Sequence, residues 1–83
     1  NMASAAKVRD AIDNALKASD EIKEGNYITV SVEKKGVLGL GGQSIVLSGR
    51  VTSEKVMEAA ARIAEEHAAG LQVANKLRIG KVS

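Results

Sequence analysis

Hydrophobic residues follow a two-residue period in three segments of the chain and a helical period in two others. Residues 27–34, 44–51 and 71–79 alternate apolar with polar side chains, as strands with one buried face do. Residues 4–18 and 53–69 carry apolar side chains three or four positions apart, which is the spacing of one helix face. The pattern therefore predicts the element order helix, strand, strand, helix, strand.

Capping residues and apolar stripes support both helices. Ser4 and Ser53 stand where the helices begin, and serine is a favoured N-cap residue. Gly70 follows the second helix and is expected to be its C′ residue. The stripe of the first helix consists of Val8, Ala11, Ile12, Ala15 and Leu16. The stripe of the second consists of Val56, Ala60, Ile63, Ala64 and His67.

These elements predict an α+β fold in which two helices pack on one face of a three-stranded mixed sheet. The first two strands are expected to pair antiparallel, and the third to run parallel to the second through a right-handed crossover. Gly49, in the middle of the second strand, is expected to mark a β-bulge or to let a helix approach closely. The strand residues expected in the core are Ile28, Val30, Val32, Ile45, Leu47, Val73 and Leu77. An 83-residue chain makes one domain, which we place at 4–80, with tails at 1–3 and 81–83.

The connection between the first two strands is the least ordinary part of the sequence. Two residues can join antiparallel strands, but about nine stand here, from Lys35 to Gln43, and four of them are glycine. The loop carries three apolar residues, Val37, Leu38 and Leu40, next to two lysines at its base. We expect a mobile loop whose apolar residues become buried on contact with lipid or a partner protein; a merely tolerated insertion is the alternative.

The outward face of the sheet provides a second candidate surface. The alternation places six polar or charged residues there: Thr29, Ser31, Ser48, Arg50, Lys76 and Arg78. Arg50, Lys76 and Arg78 could form a weak basic platform for anionic lipid headgroups, at about 1 kcal/mol per cation near a charged membrane. A solvated strand face without a ligand is the alternative.

Composition argues against an enzyme or a metal site. The chain has no Cys, one His and one aromatic residue, Tyr27. His67 has no second histidine or thiolate with which to bind a metal, and no Ser has a His and an acid at a spacing that local structure would bring together. We therefore predict no catalytic, cofactor or metal-binding residues. The net charge of +2 permits an anionic partner without requiring one.

The glycine-rich segment also invites a nucleic-acid hypothesis. Residues 38–45 resemble the I-G-x-x-G-x-x-I signature of the KH domain, with the loop running from Gly39 to Gly42. A KH loop joins two helices, however, and the residues after Gly42 have the alternation of a strand. The loop also has no Lys or Arg to meet phosphate. A KH-like nucleic-acid-binding domain is the less favoured alternative, and the secondary structure after Gly42 distinguishes the two.

A second resemblance covers nearly the whole chain. The segment from Ile45 to Val51, the helix containing Ala60 to Ala64, and the run Gly70-Leu71 followed by Val73, Asn75 and Leu77 are similar to the BON domain. The resemblance depends on order and spacing more than on any single residue. This chain departs from the family pattern in its hairpin, where the family usually has a short turn.

The BON resemblance implies an α-β-β-α-β module without established catalytic residues. It implies a binding role in the bacterial envelope, at a phospholipid surface or on an envelope protein, with osmotic stress as an associated condition. The implied location is the periplasm or cell envelope, with the cytoplasm as alternative. A structural or oligomerisation module of a larger protein is the other non-enzymatic hypothesis, and the residues alone leave the oligomeric state open.

Overall fold

The computed structural model describes residues 4–80, so the predicted tails 1–3 and 81–83 lie outside the described residues. The elements are α1 (Ala5–Ala18), β1 (Tyr27–Lys34), β2 (Gln43–Val51), α2 (Glu54–Glu66) and β3 (Gln72–Ile79), with a short 3-10 turn at Val37–Gly39 between β1 and β2. This order confirms the predicted α+β arrangement. The second strand begins one residue earlier than predicted.

Both predicted N-caps are confirmed. The Ser4 hydroxyl accepts a hydrogen bond from the Lys7 backbone N–H, and the Ser53 hydroxyl accepts one from the Val56 N–H, each at 3.2 Å. Each bond satisfies one of the N–H groups that a helix start leaves without an intrahelical partner. The first turns of α1 and α2 are therefore fixed by local sequence.

The end of α2 differs from the prediction. The helix ends at Glu66 instead of Ala69, because the N–H groups of His67 and Ala68 bond three residues back and tighten the last turn. Gly70 is therefore not the C′ residue. It follows Ala69 in a tight turn where both residues have positive φ, of +87° and +53°, closed by the Leu71 N–H on the Ala68 carbonyl. His67 is exposed, so it does not belong to the buried stripe.

The sheet has the strand order β1-β2-β3, with β1 antiparallel and β3 parallel to the central β2. Both helices pack on the same face, as predicted. The buried core combines side chains from both helices with one parity of β2 and β3: Val8, Ile12, Leu16, Ile45, Leu47, Val51, Ala60, Ile63, Ala64 and Leu77. Ile28, Val30, Val32, Val56 and Val73 are half-buried against it.

Gly49 serves a different purpose from the one predicted. Its φ is +115°, and a Cβ at this position would lie 2.0 Å from the Tyr27 carbonyl oxygen. The close approach is therefore made by the neighbouring strand β1 and not by a helix. Pairing continues one residue to one residue through this point, with Ile28 opposite Gly49, so the expected bulge is not formed at Gly49 either. The glycine allows the two backbones to stay in register.

Candidate functional site

The loop between β1 and β2, which we call the glycine loop (residues 36–42), is folded on itself. At its base the Lys35 N–H donates to the Gly42 carbonyl and the Gly41 N–H donates to the Lys35 carbonyl, both at 2.8 Å. Within it the N–H groups of Gly39 and Leu40 bond three residues back, at 3.2 and 3.0 Å. These bonds give the loop one defined turn.

Three aliphatic side chains project from this turn into solvent. Val37, Leu38 and Leu40, which together we call the apolar tip, are 80%, 91% and 84% exposed. Leu38 has φ 56° and ψ 24°, a left-handed conformation that is unfavourable for a bulky side chain. Strained backbone of this kind is concentrated at functional sites. The turn thus holds large apolar groups outward at a cost in free energy.

Close backbone packing explains two of the glycines. A Cβ on Gly36 would lie 2.8 Å from the Gly41 backbone nitrogen, and a Cβ on Gly41 would lie 2.9 Å from the Lys35 carbonyl oxygen. Both contacts are shorter than real Cβ atoms show, so side chains would force the turn apart. The glycines therefore shape the turn, while the mobility inferred from them in the sequence stays a prediction.

Two lysines flank the base of the loop on opposite faces of the sheet. Lys34 has the same parity as the core-facing residues of β1, and its aliphatic stem packs under Gly39. Lys35 lies on the open face, where its ammonium group donates a hydrogen bond to the Gln72 side-chain oxygen. We call this pair the basic collar. It places positive charge on both sides of the apolar tip.

The open-face cations occupy adjacent rows of the sheet. Arg50 pairs with Arg78 in register, and Lys76 pairs with Ser48. All three cations are exposed, as predicted for the outward face. The Lys76 ammonium lies 3.7 Å from the Glu33 carboxylate, so part of its charge is already balanced. The exposed pair Arg50 and Arg78 is the more positive part of this face.

The predicted site residues do not form one surface. The register places Lys34 opposite Gln43 at the loop end of the hairpin and Tyr27 opposite Arg50 at the other end. Seven residues of strand span about 23 Å at ~3.3 Å per residue. The apolar tip and the Arg50–Arg78 pair therefore lie at opposite ends of a molecule measuring 40 × 24 × 15 Å.

A groove between α1 and β1 was not anticipated from the sequence. It has a volume of about 420 Å³ near Leu16, Ile22 and Ile28, and a neighbouring hollow of about 290 Å³ continues it to Val30. At its rim the Lys17 ammonium lies 2.8 Å from the Asp13 carboxylate. The hydrogen bond to Asp13 and the attraction of its charge raise the pKa of Lys17. The i,i+4 pair was visible in the sequence, but the groove depends on β1 being an edge strand, and strand order was not predictable.

Within residues 4–80, no helix has the length and apolar character that crossing a bilayer requires. The same residues contain no cluster of three or more His, Cys, Asp or Glu side chains suited to a metal ion.

After Gly42 the chain enters strand β2, where a KH domain has a helix. The secondary structure after Gly42, which distinguishes the two resemblances, therefore shows that the KH hypothesis is wrong.

Comparison with known families agrees with the fold. A family model described as BON domain matches residues 4–81, nearly the whole chain. The chain belongs to the BON domain family. No curated protein matches it. BON domains are binding modules that are not known for catalysis.

Proposed function

We propose that this BON domain is a non-enzymatic binding module of the bacterial cell envelope that attaches to an anionic phospholipid surface through its glycine loop. The observation that carries the proposal is the apolar tip, whose three aliphatic side chains are at least 80% exposed at one end of the molecule. Isolated exposed hydrophobic residues are ordinary. Three such residues together on a strained, hydrogen-bonded turn are better explained if the turn inserts them into a lipid interface.

The energetics support weak and reversible attachment. Burying a Val or Leu side chain fully contributes about 1.5–3 kcal/mol, so the apolar tip offers roughly 5–9 kcal/mol before costs. Loss of translational and rotational freedom removes several kcal/mol of this. The basic collar adds about 1 kcal/mol per lysine near an anionic surface. Binding should therefore be tighter on anionic than on neutral lipid and weaken as salt is added.

The geometry favours an upright orientation over a flat one. The tip lies at the end of the hairpin, with Lys34 and Lys35 directly behind it on the two faces of the sheet. When the tip enters the lipid interface, both lysines stand at headgroup level. Arg50 and Arg78 then lie about 23 Å further from the lipid surface than the basic collar does. This distance exceeds the Debye length of about 8 Å at physiological salt, so their attraction to the headgroups is screened. The basic platform is thus an alternative contact and not part of the same one.

Vesicle sedimentation tests the proposal. Wild-type protein should sediment with vesicles containing phosphatidylglycerol, and less with pure phosphatidylcholine. The double substitution Leu38→Ser with Leu40→Ser should weaken binding at least about tenfold, since a loss of 1.4 kcal/mol suffices for that. Ile79→Ser is the matched control, because Ile79 is 48% exposed at the opposite end of the sheet and should leave binding unchanged.

Two results would count against the apolar tip. If the double variant binds vesicles as well as wild type, the tip is not the contact. If it loses thermal stability, the leucines support the fold, which their exposure argues against. Insertion of the tip into a groove on an envelope protein is the second candidate, favoured by the fixed left-handed conformation of Leu38. It predicts no vesicle binding by the isolated domain.

A further inference from the structure

The two edges of the sheet are treated differently. On β3 the Leu77 N–H is bonded to the side-chain oxygen of Asn75 at 3.0 Å, so this chain's own side chain occupies part of that edge. Lys76 and Arg78 add exposed charges to the same strand. Charged and self-blocked edges are a common protection against pairing with another strand. β3 is therefore a poor template for a further strand.

The edge formed by β1 has no such protection. The bond from the Lys35 N–H to the Gly42 carbonyl sets the phase of the antiparallel ladder. Because hydrogen-bonded and non-bonded pairs alternate, the backbone groups of Ile28, Val30 and Val32 point away from β2. No side chain of residues 4–80 bonds to them. The first six residues of β1 also lack charge, proline and any bulge.

The groove runs beside this edge and makes it accessible. Half-buried Ile28 and Val30 form its floor together with exposed Thr29. Its α1 rim carries two ion pairs, Arg9 with Asp10 at 3.1 Å and Lys17 with Asp13 at 2.8 Å. The α1 side of the groove therefore has equal numbers of positive and negative side chains, and Lys23, between α1 and β1, adds one further cation at the end of the groove. The α1 side gives no preference to an acidic or a basic peptide, but it matches the α1 side of a second copy, which carries the same balanced charges.

We propose that β1 pairs antiparallel with β1 of a second copy of this chain, giving a two-fold dimer with a continuous six-stranded sheet. The pairing centres on Val30, which lies opposite Val30 of the second copy. Ile28 then faces Val32 on the helix side, and Thr29 faces Ser31 on the open side. This interface is independent of the apolar tip, so it goes beyond the proposed lipid contact.

The alternative registers are less favourable. Moving the two-fold axis by one residue toward the loop places Val30 opposite Val32 but Ile28 opposite Lys34, so Ile28 loses its apolar partner. Moving it the other way places Val32 opposite Asn26, outside the strand. Pairing centred on Val30 keeps like charges apart and keeps the apolar residues of the helix side together. Opposed side chains of this kind are the main source of pairing preference in sheets.

Sedimentation velocity of the 83-residue chain across a wide concentration range tests the dimer. Wild type should show a concentration-dependent dimer. Thr29→Lys combined with Ser31→Lys should abolish it, because the proposed register sets lysine opposite lysine twice. Thr29→Lys combined with Ser31→Glu is the matched control at the same positions, and it should retain the dimer because each lysine then faces a glutamate.

Three results would overturn the proposal: a wild-type monomer at every concentration, a dimer unaffected by the double lysine change, or a lysine–glutamate variant as monomeric as the double lysine variant. Val30→Pro supplies a second check. It removes an N–H that points away from β2 and none that bonds to it, so it should abolish the dimer while far-ultraviolet circular dichroism stays that of the folded domain. None of these results bears on vesicle binding by the apolar tip, which is a separate surface.

Discussion

Gly49→Ala adds a single methyl group and should damage this fold severely. Two separate effects add at this position. The backbone has φ +115°, where a residue with a Cβ is strained, and the new Cβ would lie 2.0 Å from the Tyr27 carbonyl oxygen. Relief of the clash requires β1 to move until that distance reaches an ordinary contact of at least 3.4 Å. The movement opens the β1–β2 ladder at its Tyr27–Arg50 end.

The two effects can be given approximate sizes. A side chain in left-handed backbone costs about 1–2 kcal/mol. Weakening one or two backbone hydrogen bonds adds about 1 kcal/mol each. The sum is about 3 kcal/mol, out of a total stability of about 4–12 kcal/mol expected for a domain of this length. At about 4–8 °C per kcal/mol, the melting temperature should fall by roughly 12–24 °C.

Gly70→Ala provides the matched control. Gly70 also has a positive φ, of +87°, but a Cβ there would meet nothing within 4 Å. It should therefore lose only the conformational part, about 1–2 kcal/mol. Thermal and urea denaturation followed by circular dichroism measure both variants. Equal losses at the two glycines would refute the idea that contact with β1 dictates the glycine at position 49.

Three further predictions concern the core, the apolar tip and the open face. Leu47→Ala should destabilise the domain by about 2–5 kcal/mol in urea denaturation, because its side chain is wholly buried; an unchanged midpoint would contradict the core assignment. Leu38→Ser with Leu40→Ser should leave the melting temperature unchanged, since both leucines lie in solvent. The third variant changes the three open-face cations, Arg50, Lys76 and Arg78, to Gln. If the domain binds upright, this variant should keep most of its vesicle binding in sedimentation assays; loss of binding would favour the flat orientation.

Local chemistry explains why much of the fold was predictable. Serine caps, alternation in β1 and the helical stripes are short-range signals, and β1 was predicted with the boundaries that it has. The end of α2 was not, because the helix pattern continues through Ala68, which is buried even though it lies in the turn. Because Ala68 is buried in the turn, as it would be in a continued helix, the sequence pattern does not show where the helix ends. The turn at Ala69 and Gly70 is set by the path into β3, which is a tertiary requirement.

The candidate site was predictable residue by residue but not as an arrangement. Glycine and leucine in a hairpin loop indicated the apolar tip, and parity indicated which cations face outward. Their separation follows from the register, in which Arg50 pairs with Tyr27 at the end of the hairpin far from the loop. The roles of Gly49 and of the β1 edge also depend on which strand neighbours which. Sequence periodicity identifies the face of a strand but not its neighbours.

A fluorescence measurement tests the central claim most directly. The chain contains no cysteine, so Leu38→Cys and Ile79→Cys each provide one site for an environment-sensitive dye. With vesicles containing phosphatidylglycerol, the emission maximum of the dye at position 38 should shift to shorter wavelength, and lipid-borne quenchers should reduce its fluorescence. The dye at position 79 should not change. Vesicle binding without a spectral change at position 38, or with a larger change at position 79, would contradict insertion of the apolar tip.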